Sequence, residues 1–137
     1  MLRSVQVKDY MSEFFLKISM HTDLFKAIDM LLEYKLSALP VVNDEGQLVG
    51  VISEGDCLKA ILSLTYYEEE KGGKVNDYMC EDVIAVNIDA DIIGIANMII
   101  EKDLYCLPVI QGNKLVGQIS RTDVLRAVEN FSVDAKL

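Results

Sequence analysis

The strongest constraint on this chain is that it carries one pattern twice. VKDYMSE (7–13) matches VNDYMCE (75–81), and LSALPVV (36–42) matches LYCLPVI (104–110). GVISEGDCLKAI (50–61) matches GQISRTDVLRAV (117–128). The first two pairs lie 68 positions apart and the third 67, so one residue is lost where NDEGQ faces QGNK. A turn absorbs such a loss, whereas a one-residue slip in a strand sends every side chain to the wrong face. With 137 residues, the duplication fits one compact domain or two small units sharing a core.

Each copy reads β-α-β-β-α, an α+β fold. A short extended piece (16–19 and 83–87) leads to a helix whose expected cap is Thr22 in the first copy and Asp89 in the second. Leu24, Ala27, Ile28, Leu31 and Leu32 recur at helical spacing and mark a buried stripe. A strand carrying Pro40 or Pro108 follows, then a turn rich in Asn, Asp and Gly, then a second strand, LVGVIS or LVGQIS. The closing helices are expected over Asp56 to about Tyr67 and Thr122 to about Asn130. These boundaries give a first repeat over 1–70, a linker over 71–74 (KGGK, after the solvated EEE of 68–70) and a second repeat over 75–137.

IIGIANMII (92–100) is apolar nearly all round, although a surface helix needs only one apolar stripe. The remaining face calls for another surface, and a second copy of the chain, paired two-fold, is the expected one. The same run is too short for the roughly 20 residues that span a bilayer, and MLRSVQVKDY lacks a secretory h-region. Cys57, Cys80 and Cys106 are odd in number and lack CxxC spacing, which suits reduced thiols in a cytoplasm. The net charge of −9 argues against nucleic acid or anionic membranes as the main partner. It leaves a small anionic ligand open, because charges beyond about 8 Å are largely screened.

The repeated G-x-x-S-x-x-D places a hydroxyl and a carboxylate at the mouth of a helix. A ribose offers two vicinal hydroxyl donors that one carboxylate can accept, and the free amides of the helix start suit a phosphate oxygen. The plain structural alternative is that Ser53 with Asp56, and Ser120 with Asp123, only cap their helices.

The motifs V-x-D-x-M, L-x-x-L-P-V and G-x-x-S-x-x-D, in that order and twice, resemble a tandem pair of cystathionine-β-synthase (CBS) motifs, or Bateman module. The resemblance runs from Val7 to about Phe131. It implies two pseudo-symmetric units packed through their sheets, with a cleft on each side for an adenosine-containing ligand, and dimerisation into a disc. Most such modules are regulatory parts of larger proteins; with nothing attached, this chain resembles the stand-alone kind. By the resemblance, one cleft uses Ser120, Thr122, Asp123 and the backbone near Gln118, with Leu36 and Ser37 beside the base. The mirror cleft uses Val51, Ser53 and Asp56, with Leu104 and Tyr105 beside the base. Arg121 and Thr122 stand where the first copy has Glu54 and Gly55, which favours the Asp123 cleft for a phosphate. Ala38 and Cys106 occupy positions where phosphate-gripping relatives carry a basic residue, which disfavours tight ATP binding.

No catalytic constellation emerges. His21 is the one histidine, and no nucleophile-elbow sequence accompanies it. The acidic residues around Cys80 fit neither zinc nor calcium spacing, so no metal site is expected. The sequence thus points to a non-enzymatic sensor that needs no cofactor, binds AMP, ADP, ATP or S-adenosylmethionine, forms a homodimer and signals to an unidentified regulated protein. The alternative is a structural or scaffolding dimer with vestigial clefts. An enzyme that uses a nucleotide as substrate is the weakest reading.

Overall fold

The structure, a computed structural model, describes residues 2–66 and 73–136, apart from the side chains of Arg3 and residues 132–136. Two compact units emerge, and they do not follow sequence order: one is Leu16–Val83, the other combines Met1–Phe15 with Ile84–Leu137. Each unit is α+β around a three-stranded sheet.

In the first unit, β1 (Ile18–Ser19) leads through α1 (Leu24–Glu33) to β2 (Ala38–Val42), which lies parallel to β1. β3 (Leu48–Ser53) returns antiparallel to β2, and α2 (Glu54–Tyr66) follows without a break. A single-turn helix, α3 (Val75–Tyr78), completes the unit. The second unit repeats the plan with β4 (Val86–Asn87), α4 (Ile92–Lys102), β5 (Cys106–Gln111), β6 (Lys114–Ser120) and α5 (Arg121–Lys136). Its counterpart to α3 is a 3-10 turn over Val7–Asp9. The lost residue is found in the hairpin turns, where Gly46 and Gly112 take positive φ. Both hairpins also carry a register shift, between Val41 and Val42 and between Val109 and Ile110.

The repeated V-x-D-x-M segments explain the crossed order. Residues 74–80 close the first unit: Val75 donates its amide to Thr22 O, and Val51 and Cys80 exchange both backbone bonds at 2.9 and 2.8 Å. Residues 5–12 close the second: Val7 donates to Ala90 O, and Ser12 and Gln118 exchange bonds at 2.8 and 3.0 Å. Val7 and Val75 are fully buried in the two separate cores. The repeats at 1–70 and 75–137 therefore describe the duplicated pattern and not the compact units, because each leading segment joins the other copy's sheet. Gly50 and Gly117 make that crossing sterically feasible. A Cβ at Gly50 would lie 2.6 Å from Met79 Sδ and 2.9 Å from Cys80 O; at Gly117 it would lie 2.8 Å from Met11 Sδ and 3.0 Å from Ser12 O.

The incoming segments also move the helix starts. Asp23 caps α1, its carboxylate accepting from Phe25 N, in place of Thr22, whose carbonyl is engaged by Val75. Asp91 caps α4, accepting from Gly94 N, in place of Asp89, because Ile92 donates to Val5 O. The stripe of α1 is narrower than its spacing suggests: Leu24, Ala27 and Leu31 are buried, but Leu32 is 72% exposed. In α4, Ile92, Ile95 and Ile99 are buried while Ile100 faces outward. Of the expected linker, Gly73 and Lys74 are structured parts of the first unit; 71–72 and the EEE of 68–70 lie outside the described residues.

Candidate functional site

The G-x-x-S-x-x-D motifs sit where β3 enters α2 and where β6 enters α5. Both helices start earlier than their sequence suggests, at Glu54 and Arg121, which makes each Ser the cap and each Asp the third helical residue. The result is a capping box in each unit. Asp56 Oδ2 accepts from Ser53 N at 2.9 Å and from Ser53 Oγ at 2.8 Å, while Ser53 Oγ accepts from Asp56 N at 3.1 Å. Asp123 Oδ2 accepts from Ser120 N at 2.8 Å and from Ser120 Oγ at 2.9 Å, while Ser120 Oγ accepts from Asp123 N at 3.2 Å. The serine protons expected for a ligand are therefore committed inside the chain. What each box can still offer is the other carboxylate oxygen, Oδ1.

At Oδ1 the two sites part. The Arg126 guanidinium, one turn further along α5, holds Asp123 Oδ1 in an ion pair. Asp123 is only 8% exposed. The first copy has Lys59 at the equivalent position, and among the described residues Asp56 Oδ1 has no partner. Arg126 escaped the sequence reading, although its spacing from Asp123 in RTDVLRAV carries the signal.

The other expected residues divide by unit. Val51, Ser53, Asp56, Leu36 and Ser37 lie in the first, where Ser37 O accepts from Glu54 N at 2.9 Å. Gln118, Ser120, Arg121, Thr122, Asp123, Leu104 and Tyr105 lie in the second, where Tyr105 O accepts from Arg121 N at 3.0 Å. Helix geometry leaves the second amides, Gly55 and Thr122, without intrahelical partners. Thr122 is exposed, whereas Arg121 is engaged: its Nε donates to Leu104 O at 2.6 Å and its Nη2 pairs with Asp103 at 3.0 Å. The same guanidinium lies 4.7 Å above the Tyr105 ring. Arg121 therefore clamps the α5 start to the α4–β5 turn, and its charge is already matched.

Cys106 pairs with Ser120 across the hairpin. Loss of solvent around its sulfur, and then the Asp123 carboxylate, push this thiol above its ordinary value even though part of the residue stays exposed. Burial, and then Asp56, push up the Cys57 thiol. His21 faces Asp44 at 3.5 Å on the surface, away from either box. No cluster of potential metal ligands occurs among the described residues. No helix among them is long and apolar enough to cross a membrane.

Two strand–helix junctions with identical boxes, each closed by a V-x-D-x-M segment, invite comparison with known proteins. A family model of the CBS domain matches residues 7–63 and again 75–130. The chain belongs to the CBS domain family. It contains a tandem CBS pair, and the solved structure of the CBS-pair protein CBSX2 of Arabidopsis thaliana in complex with AMP is similar to it. That likeness has a TM-score of 0.78 and 28% identity, covering 93% of this chain and 98% of that one. The uncharacterized protein MJ1225 of Methanocaldococcus jannaschii is 28% identical over 120 residues, 88% of this chain and 41% of its own. The zinc metalloprotease MJ0392 of the same organism is 31% identical over 135 residues, 98% of this chain and 35% of its own. The chain thus spans less than half the length of these curated relatives. The CBS pair corresponds to one portion of them.

Proposed function

We propose that this CBS pair is a non-catalytic sensor that binds an adenosine nucleotide at its capping boxes and passes the bound state to a partner protein. The observation that carries the reading is the duplicated box, whose Ser–Asp exchange uses only Oδ2 of each carboxylate, in a chain similar over nearly its whole length to a CBS pair complexed with AMP. The ribose diol donates to Oδ1 of the aspartate, and the open amide of Gly55 or Thr122 donates to the phosphate. Charge-assisted bonds of about 1.5–3 kcal/mol each, together with burial of the base, reach micromolar affinity. The ligand favours one arrangement of the pair over others, and this shift in population is the signal.

The module acts as a homodimer. Phe25, Leu32, Leu58, Leu62 and Tyr66 stand exposed on α1 and α2, as do Ile100 and Leu125 on α4 and α5, more apolar helix surface than a lone module needs. Three free cysteines suit work in a reducing cytoplasm.

Titration calorimetry with AMP, ATP and S-adenosylmethionine tests the reading. Heat that saturates with AMP, and that saturates only at higher AMP concentration when Asp56 and Asp123 are both replaced by Asn, supports it; absence of any binding to wild type overturns it. One observation favours the rival scaffold with vestigial clefts: both boxes are internally satisfied at the serine and at Oδ2. A nucleotide panel separates the two, since ligand at 100 times Kd adds about 2.7 kcal/mol of stability to a sensor and none to a scaffold.

A further inference from the structure

The two boxes differ in what must happen before Oδ1 can accept a hydroxyl. At Asp56 no other described residue holds Oδ1. At Asp123 both oxygens are engaged, Oδ2 by two donors of Ser120 and Oδ1 by the guanidinium of Arg126. A neutral nucleoside arriving there must compete with a charged donor for the oxygen it needs. A ligand that also brings an anion gives that guanidinium a second acceptor, so the ion pair is exchanged rather than broken. Arg126 can serve in this way because its own side chain is 57% exposed and, among the described residues, pairs with no other carboxylate, unlike Arg121, which Asp103 matches. Arg126 is also a cation in contact with the carboxylate proposed to hold the ligand.

We infer that Arg126 makes the Asp123 site selective for nucleotides over nucleosides. It covers the carboxylate when no anion is present and moves to the ligand's phosphate when one is. The Asp56 site lacks this device and does not discriminate in the same way. Arg126 thereby determines the specificity of its repeat. The inference rests on the proposed ligand site and sharpens it, by naming the group that separates ligand classes.

The test measures the Kd of AMP and of adenosine on full-length protein carrying Asp56→Asn, which silences the other box, with Arg126 intact or replaced by Gln or Lys. With Arg126 intact, AMP binds more tightly than adenosine, and the preference weakens as salt rises. Arg126→Gln weakens AMP, strengthens adenosine, and lowers the preference by about tenfold. Arg126→Lys keeps the charge and retains most of the preference. A preference unchanged by Arg126→Gln overturns the inference while leaving nucleotide binding intact, as does a Lys variant that behaves like Gln. If wild type binds neither ligand, the proposed function falls and this inference falls with it. Melting curves of each variant guard against loss of fold; equal melting with a collapsed preference identifies a binding effect.

Discussion

Asp56 and Asp123 occupy equivalent positions, receive the same three bonds from or to their serines, and yet present different chemistry to an incoming ligand. Among the described residues, the first has no partner at Oδ1; the second shares it with Arg126. A second contrast runs beside it. Arg121 and Asp103 form an ion pair, whereas the first copy carries the reversed charges, Glu54 and Lys35, and no ion pair joins them among the described residues. Duplication thus preserved the backbone device that shapes the junction, while the charges around it diverged. The capping box fixes where each helix starts. In the proposed sensor, ligand choice is assigned to the charges that surround it.

The largest expected effect lies in the glycines that admit the crossing segments. Gly50→Ala and Gly117→Ala each lose about 1–3 kcal/mol, read by urea unfolding, because backbone carbonyls at 2.9 and 3.0 Å must move as well as methionine sulfurs. Gly50→Ala is the more damaging, having the closer contacts. Equal and negligible losses would show that the segments sit more loosely than this.

Next come the boxes themselves. Asp56→Ala and Asp123→Ala each cost about 1 kcal/mol of stability through the lost cap, measured in the same way. The Asp123 change adds little beyond its cap, since it frees an exposed guanidinium rather than stranding a buried one. Smaller still is Arg121→Ala, at about 0.2–1 kcal/mol, since its pairing with Asp103 is largely solvent-exposed. A larger loss would show that its bond to Leu104 O and its place over Tyr105 carry more than the ion pair.

The smallest effect is in the thiols. Iodoacetamide should modify exposed Cys80 first and buried Cys57 last, followed by mass spectrometry. Asp123→Asn should speed modification of Cys106 near pH 8, because removing the neighbouring negative charge lets that thiol ionise more readily. A thiol raised on folding stabilises fully below its unfolded value near 9.0, and that contribution is lost as pH climbs through the raised folded value. The melting temperature should therefore decline above about pH 9, and by less in Cys57→Ala.

Much of this was legible in the residues. Helix-period apolar spacing, turn residues and the duplicated motifs gave the β-α-β-β-α order, and the one-residue offset located the altered hairpin at Gly46 and Gly112. The caps were not, because Thr22 and Asp89 are as suitable locally as Asp23 and Asp91. The choice is made by Val75 and Val5, which arrive from far along the chain. The crossing of the V-x-D-x-M segments was hidden for a related reason: either Met suits either Gly, so the sequence is symmetric about the question that topology decides. At the site, Ser and Asp could be named, but which of their atoms are already satisfied depends on three-dimensional bonding. Arg126 lies outside the G-x-x-S-x-x-D motif, one turn along α5, so its pairing with Asp123 follows from helix geometry that the motif does not spell out.

The central claim is that an aspartate at each box accepts the ligand's ribose hydroxyls, and a double-mutant cycle tests it most directly. AMP and its 2′,3′-dideoxy analogue are titrated into wild type and into the Asp56→Asn, Asp123→Asn double variant. Loss of the diol should weaken binding to wild type by about tenfold or more and make no difference to the double variant. The same penalty in both proteins, or none in wild type, would contradict the account.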